Sequence, residues 1–137
     1  MQSVVMADVA GRTAFKAVGK LPLRKLENDI LGIAPSPGWD ARYDWAGWVP
    51  YAQTSQADDA AIATKGFLAT ANQRITPPDF PIFMGQDWTV PYRLDRIKQL
   101  LAAAPKHDRA SMQKIQADQL SRATLKLLPF FDCRTRQ

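Results

Sequence analysis

The sequence predicts an α+β fold, and three observations carry that prediction. An apolar, β-branched N-terminal stretch is followed by a glycine turn and a second such stretch; a long central region is broken by prolines; and the last third repeats apolar residues at helical spacing. Residues 3–9, SVVMADV, form the first expected strand. Ala10-Gly11-Arg12 supply the turn, because glycine adopts positive φ without steric cost. Residues 13–18, TAFKAV, return as the second strand, and Gly19 and Pro22 end the hairpin. Residues 22–50 hold Pro22, Pro35, Pro37 and Pro50, each fixing φ and removing a donor, so an irregular loop is expected there. Tyr43, Trp39, Trp45 and Trp48 fall within it, and their rings are expected to be buried and to pin it. Residues 52–65 are polar and alanine-rich, reading as a surface connection or short helix, and residues 66–71, GFLATA, read as a third strand. Pro77, Pro78 and Pro81 break the chain again. Leu94, Ile97, Leu101 and Ala104 predict an amphipathic helix over 92–104, stopped by Pro105. Asp108 is a candidate N-cap for a second helix, with Met112, Ile115, Gln119, Ala123 and Leu127 on its core face, running to Leu128 before Pro129.

The chain has 137 residues, about one domain at roughly 100–200 residues each. With 46% hydrophobic and 23% charged residues it has the balance of a folded protein and not of a disordered one. No apolar run approaches the ~20 residues that cross a bilayer, and no signal peptide is expected in MQSVVMADVAGR. One cysteine, Cys133, excludes an internal disulfide and a cysteine-rich zinc site. One histidine, His107, expected to be exposed, leaves little for histidine-based catalysis. The net charge of +5 would suit an anionic partner, yet basic and acidic residues are interleaved, which reads as a solvated surface. No nucleic-acid or membrane partner is expected. Asp40, Asp44 and Arg42 lie among the tryptophans; paired carboxylates beside aromatics can mean sugar chemistry, but the favoured reading is that they satisfy loop backbone. No glycine-rich phosphate loop or metal motif is present.

Five segments in order carry a resemblance. ADVAGRTAFKAVGKLPLR resembles a hairpin of the form YAD-x-x-G-x-I-G-Y…G-x-x-P-x-R; NDILGIAPSPGWDARYDWAGWVP resembles P-x-PG…DW-x-G-x-x-P; FLATANQRITPPDFP resembles I-x-x-ANN…P. DWTVPYRLDRIKQLL resembles YRA-x-RI-x-x-LL, and SMQKIQADQLSRATLKLLP resembles Q-x-D-x-x-S…LLP. Each motif alone is weak; five in register over residues 3–131 resemble an interior stretch of the large subunit of the penicillin acylase family, N-terminal-nucleophile amidohydrolases.

The resemblance implies part of a four-layer αββα sandwich with antiparallel strands, followed by two C-terminal helices. It makes residues 1–137 a single segment, expected to be a fragment of a larger catalytic domain. The activity implied is hydrolysis of a linear amide, releasing an acyl group from a β-lactam nucleus, a homoserine lactone or a similar amine. In that family an N-terminal Ser is the nucleophile, its own α-amino group is the base, and an Asn amide helps hold the oxyanion. Asn72 matches the first Asn of ANN, the oxyanion donor, and Arg93 matches the Arg of YR that helps hold that site. Two positions depart: Gln73 replaces the second Asn, and the nucleophilic Ser is missing, Ser3 being inside a strand. The chain alone is therefore expected to be catalytically silent. Its expected partners are the remaining acylase segments, namely the nucleophile-bearing part and small subunit, or a second copy of itself, with an amide as substrate. No cofactor is expected in this chain; calcium is an option for the complete enzyme, with Asp29, Asp79 and Asp87 in the neighbourhood but not aligned to ligand positions. Localisation stays open, intact members of the family being periplasmic. The alternative is a non-catalytic remnant or interaction module on the same scaffold.

Overall fold

The computed structural model describes residues 2–57, 62–63 and 66–131 and has α+β character. Its contacts form two compact units. One runs through Leu68 and resumes over Arg74–Trp88; the other joins Ala69–Gln73 to the chain from Thr89 onward.

In the first unit, β1 (Gln2–Ala7) and β2 (Thr13–Val18) pair antiparallel, Val5 opposite Phe15, as the N-terminal pattern predicts. Gly11 takes the expected positive φ of 80°. Asp8 adds what the turn residues alone did not reveal. Its Oδ1 accepts from the backbone N–H groups of Ala10 at 3.0 Å and Arg12 at 2.9 Å, and its Oδ2 takes Arg12 Nε at 2.6 Å. The Arg12 backbone N–H, then the Arg12 guanidinium, hold this carboxyl below its ordinary pKa.

The proline-rich stretch holds regular strands where an irregular loop was expected. β3 (Pro22–Arg24) pairs antiparallel with β4 (Trp45–Trp48), Pro22 opposite Trp48. Pro22 is the first residue of its strand, where a missing N–H is tolerated, and the register shifts between Leu23 and Arg24 across from Gly47, whose φ is 133°. Asp40 accepts from Arg42 N at 3.0 Å and Arg42 Nε at 2.7 Å, so this pair satisfies loop backbone, as the sequence reading favoured. The tryptophans overturn their expectation: Trp39 is 90%, Trp45 59% and Trp48 47% exposed. Trp45 and Trp48 stand on β4 of a two-stranded sheet and Trp39 lies outside any strand; the buried residues here are Leu21 and Val49 instead. β5 (Gln56–Ala57) completes a three-stranded sheet of order β1-β2-β5. Phe15, Ala17, Leu21, Val49 and Ile62 form the apolar core of this unit. Part of the 52–65 expectation and Cys133 lie outside the described residues.

The second unit holds α1 (Tyr92–Ala102), α2 (Arg109–Gln116) and α3 (Arg122–Phe131). α1 matches its periodicity, and Leu94 is buried at 7% exposure. Residues 66–71, expected as a strand, form no regular element. The single helix expected over 108–128 is two, because Asp118 turns the chain and Ser121 starts a new helix. Asp118 Oδ1 accepts from Leu120 N at 3.3 Å, and Ser121 Oγ accepts from Thr124 N at 3.2 Å. Pro129 does not end α3, which runs on to Phe131. Met112 and Leu127, expected on a core face, are 40% and 51% exposed. His107 is half-buried and not exposed: its Nε2 lies 2.8 Å from the Leu101 carbonyl, and its Nδ1 has no partner among the described residues.

Asp108 is the N-cap the sequence predicts. Its carboxylate accepts from Ser111 N at 2.8 Å while Ser111 Oγ accepts from Asp108 N at 2.9 Å, a reciprocal capping box. The Ser111 backbone N–H, then the Ser111 hydroxyl, keep this carboxyl below its ordinary pKa. A depressed carboxyl contributes stability above its unfolded pKa and loses it as the pH falls through the folded value. Asp108→Ala should therefore fray α2 at neutral pH, Asp108→Asn should retain most of the cap, and only the unsubstituted chain should lose protection of the Ser111 amide on acidification below about pH 4. Hydrogen-exchange protection factors measured from pH 3 to pH 6 would check all three.

Candidate active site

Asn72 and Arg93, far apart in sequence, meet within the second unit. Arg93 stands in the first turn of α1, which starts after Pro91, a residue suited to helix entry because its missing N–H removes no intrahelical bond. Asn72 sits in a bend over residues 71–73, with φ of 63°. That left-handed region is closed to most side chains but is visited by Asn, whose short amide bonds locally. Sequence reading placed Asn72 at a strand end; the structure places it at a turn held by other means.

Three hydrogen bonds hold it. Arg93 Nη2 donates to Asn72 Oδ1 at 2.5 Å and to the Ala71 carbonyl at 2.9 Å. Thr89 N donates to the Asn72 carbonyl at 3.0 Å, tying the turn to the residues just before α1. Gln73, the departure from the ANN pattern, reaches back so that its Oε1 accepts from Ala71 N at 2.7 Å. The longer side chain thus closes the turn on its own backbone. Both backbone groups of Ala71 and the carbonyl of Asn72 are engaged, which fixes the left-handed residue between them.

The chemistry of the pair sets the direction of the amide. A guanidinium has five N–H donors and no acceptor. It can meet only the oxygen end of Asn72, which leaves the Nδ2 end as the donor free to serve a third group. A neutral donor whose orientation is fixed by a cation behind it suits a site where negative charge develops. Asn72 and Arg93 are both exposed on this chain. Two residues before Asn72, the Thr70 hydroxyl is buried and has no partner among the described residues.

The other candidates belong to the first unit. Ser3 lies in β1, opposite Ala17. Among the described residues no group of three or more His, Cys, Asp or Glu side chains could hold a metal ion, and Asp29, Asp79 and Asp87 belong to no such cluster. No helix among the described residues is long and apolar enough to cross a membrane. Sequence reading missed Arg96 and Asp118, which pair across the second unit at 2.6 Å and 2.9 Å. Arg96 looked like one cation of many on a helix surface, and its partner lies beyond any helical spacing.

Comparison with known proteins agrees with the motifs. The family model described as Penicillin amidase matches residues 1–137. An acyl-homoserine lactone acylase, QuiP, of Pseudomonas aeruginosa is 37% identical over 131 residues, covering 95% of this chain and 14% of its own length. The QuiP of Pseudomonas putida is 37% identical over 123 residues, 86% of this chain and 14% of its own. The penicillin acylase 2 proenzyme of Pseudomonas sp. strain SE83 is 34% identical over 119 residues, 87% of this chain and 15% of its own. The chain thus spans about one-seventh of the length of these relatives. With a family match over its full length and relatives above 30% identity over nearly all of it, the chain belongs to the penicillin amidase family of amidohydrolases.

Proposed function

We propose that this chain supplies the oxyanion-stabilising part of an amide-hydrolysing active site, with Asn72 as the donor and Arg93 as the group that aims it. The observation that carries this is the Arg93 bond to Asn72 Oδ1 at a left-handed turn. In the reaction, a hydroxyl attacks the amide carbonyl and the carbonyl oxygen becomes an oxyanion. Asn72 Nδ2–H donates to that oxygen, while Arg93 holds the amide and adds positive field from behind. The nucleophile and its base, an N-terminal Ser with its own α-amino group, come from another segment of the complete acylase. The substrate is an acylated amine, either an acyl-homoserine lactone or a β-lactam amide, consistent with the names of the relatives.

Exposure of the pair supports this division. A donor is worth most where water is excluded. On this chain Asn72 and Arg93 face solvent, so the nucleophile-bearing part and the small subunit would cover them within the αββα sandwich. Calcium, where the complete enzyme binds it, would draw its oxygen ligands at least partly from those other segments.

The test is release of free amine from an acyl-homoserine lactone and from a penicillin, measured with an amine-reactive dye. The full acylase polypeptide bearing this segment should release amine; the 137-residue chain alone should not. Turnover by the isolated chain at a rate matching the full polypeptide would overturn the division of labour.

A further inference from the structure

We propose that the Arg96–Asp118 ion pair is a positioning device for Arg93, acting through the rigid body of α1. This inference rests on the reading of Asn72 and Arg93 given above. The pair is forked: Arg96 Nε donates to Asp118 Oδ1 at 2.9 Å and Nη2 to Oδ2 at 2.6 Å. Its side chains are only 20% and 21% exposed, against the exposed Arg93. The two parallel bonds fix orientation as well as distance, which a lysine could not do. Hydrogen bonding to each other raises the pKa of Arg96 and lowers that of Asp118, so both are charged at neutral pH.

Neither end of the fork is loose. Arg96 Nη1 also donates to Gln99 Oε1 at 2.9 Å, within α1. Asp118 Oδ1 also accepts from Leu120 N, and Asp118 N donates to the Ile115 carbonyl at 3.3 Å, within the turn between α2 and α3. The fork therefore joins α1 to that turn. Arg96 follows Arg93 by three residues, so both leave neighbouring positions on one side of α1. On the other side of Arg93, the Thr89–Asn72 bond holds the chain just before the helix. Arg93 is thus bracketed: Thr89 fixes where α1 begins, and Arg96 fixes its rotation about its own axis. A small rotation is magnified along a long arginine, and misplacement by an ångström or so at a reacting centre can cost about a hundredfold in rate.

The experiment is a double-mutant cycle in the full acylase polypeptide, with Asp118→Asn and Asn72→Gly alone and together, reading kcat, KM and melting temperature. Asp118→Asn should lower kcat at least tenfold with KM changed less than twofold, and should have little further effect on kcat once Asn72→Gly is present. An equal kcat loss in both backgrounds, or none in either, would overturn the positioning role and leave the pair as scaffold. If Asn72→Gly alone leaves kcat intact, it is the oxyanion reading that fails. Arg96→Lys keeps the charge but loses the fork, and it serves if Asp118→Asn does not fold; it should give the same pattern, and unchanged kcat in Arg96→Lys would overturn the proposal.

Discussion

Asn72→Gly in the full acylase polypeptide is expected to cut turnover about 100- to 1,000-fold, equivalent to roughly 2.7–4 kcal/mol of lost oxyanion stabilisation, while leaving the fold intact. Glycine is the informative substitution here and alanine is not. Asn72 occupies φ of 63°, a conformation that costs an alanine about 1–2 kcal/mol and a glycine almost nothing. Asn72→Ala would mix backbone strain with loss of the donor; Asn72→Gly removes the amide alone. Asn72→Asp supplies the complement: it keeps the local shape and the contact with Arg93, but replaces the donor by an acceptor and puts negative charge beside a developing oxyanion. It should be at least as inactive as the glycine variant. Kinetics on all three, with melting curves to confirm folding, separate the donor from the turn. A loss below tenfold in Asn72→Gly would remove Asn72 from the role.

The second large effect belongs to Arg93. Its Nη2 serves both Asn72 Oδ1 and the Ala71 carbonyl. Hydrogen bonds from a charged donor contribute about 1.5–3 kcal/mol each, so removing the guanidinium frees the amide to turn and present its oxygen to the substrate. Arg93→Met should lower kcat about a hundredfold. Arg93→Lys keeps a charge, but its ammonium ends one atom short of the Nη2 position and lacks the guanidinium's fixed donor directions, so it should lower kcat about tenfold. A kcat unchanged in Arg93→Met would show that Thr89 and Gln73 hold the turn without it. The order Arg, Lys, Met is itself the prediction, because a role in bulk charge alone would leave Arg93→Lys fully active.

Much of the fold was legible because local chemistry dictated it. Alternating β-branched residues around Gly11 gave the hairpin, and Leu94, Ile97 and Leu101 gave α1. Asp108 announced the start of α2. The misses share a cause: long-range partners overrode local signals. Proline content argued against strands, yet Pro22 and Trp45–Trp48 pair because the prolines fall at a strand start and between strands. One helix over 108–128 satisfied the apolar spacing, but Asp118, engaged by Arg96, breaks it. The tryptophans looked like core by type, yet Trp45 and Trp48 on a two-stranded sheet and Trp39 in a turn all stay at the surface. For the site, residue type alone could not distinguish Asn72 from a turn Asn or Arg93 from a solvated one. Only their place in five ordered motifs singled them out; Arg96 and Asp118 also stood at positions of two of those motifs, but nothing in the sequence paired them, and the left-handed turn and the role of Gln73 had no signal there.

The left-handed conformation of Asn72 also bears on how this site can change over generations. A single nucleotide change in an asparagine codon gives Asp, His, Lys, Ser, Thr, Tyr or Ile. Of these, only Asp and His share the tolerance of Asn for that backbone. Asp brings the wrong charge, and His spreads its two nitrogens across a rigid ring in place of one compact amide. Gly and Gln each lie two changes away. Every one-step path from Asn72 therefore passes through a strained turn or a misplaced donor. The residue is isolated in mutational space: no single-nucleotide neighbour offers both the backbone tolerance and the neutral amide donor, so drift at this position is expected to end in reversion to Asn and not in a substitute.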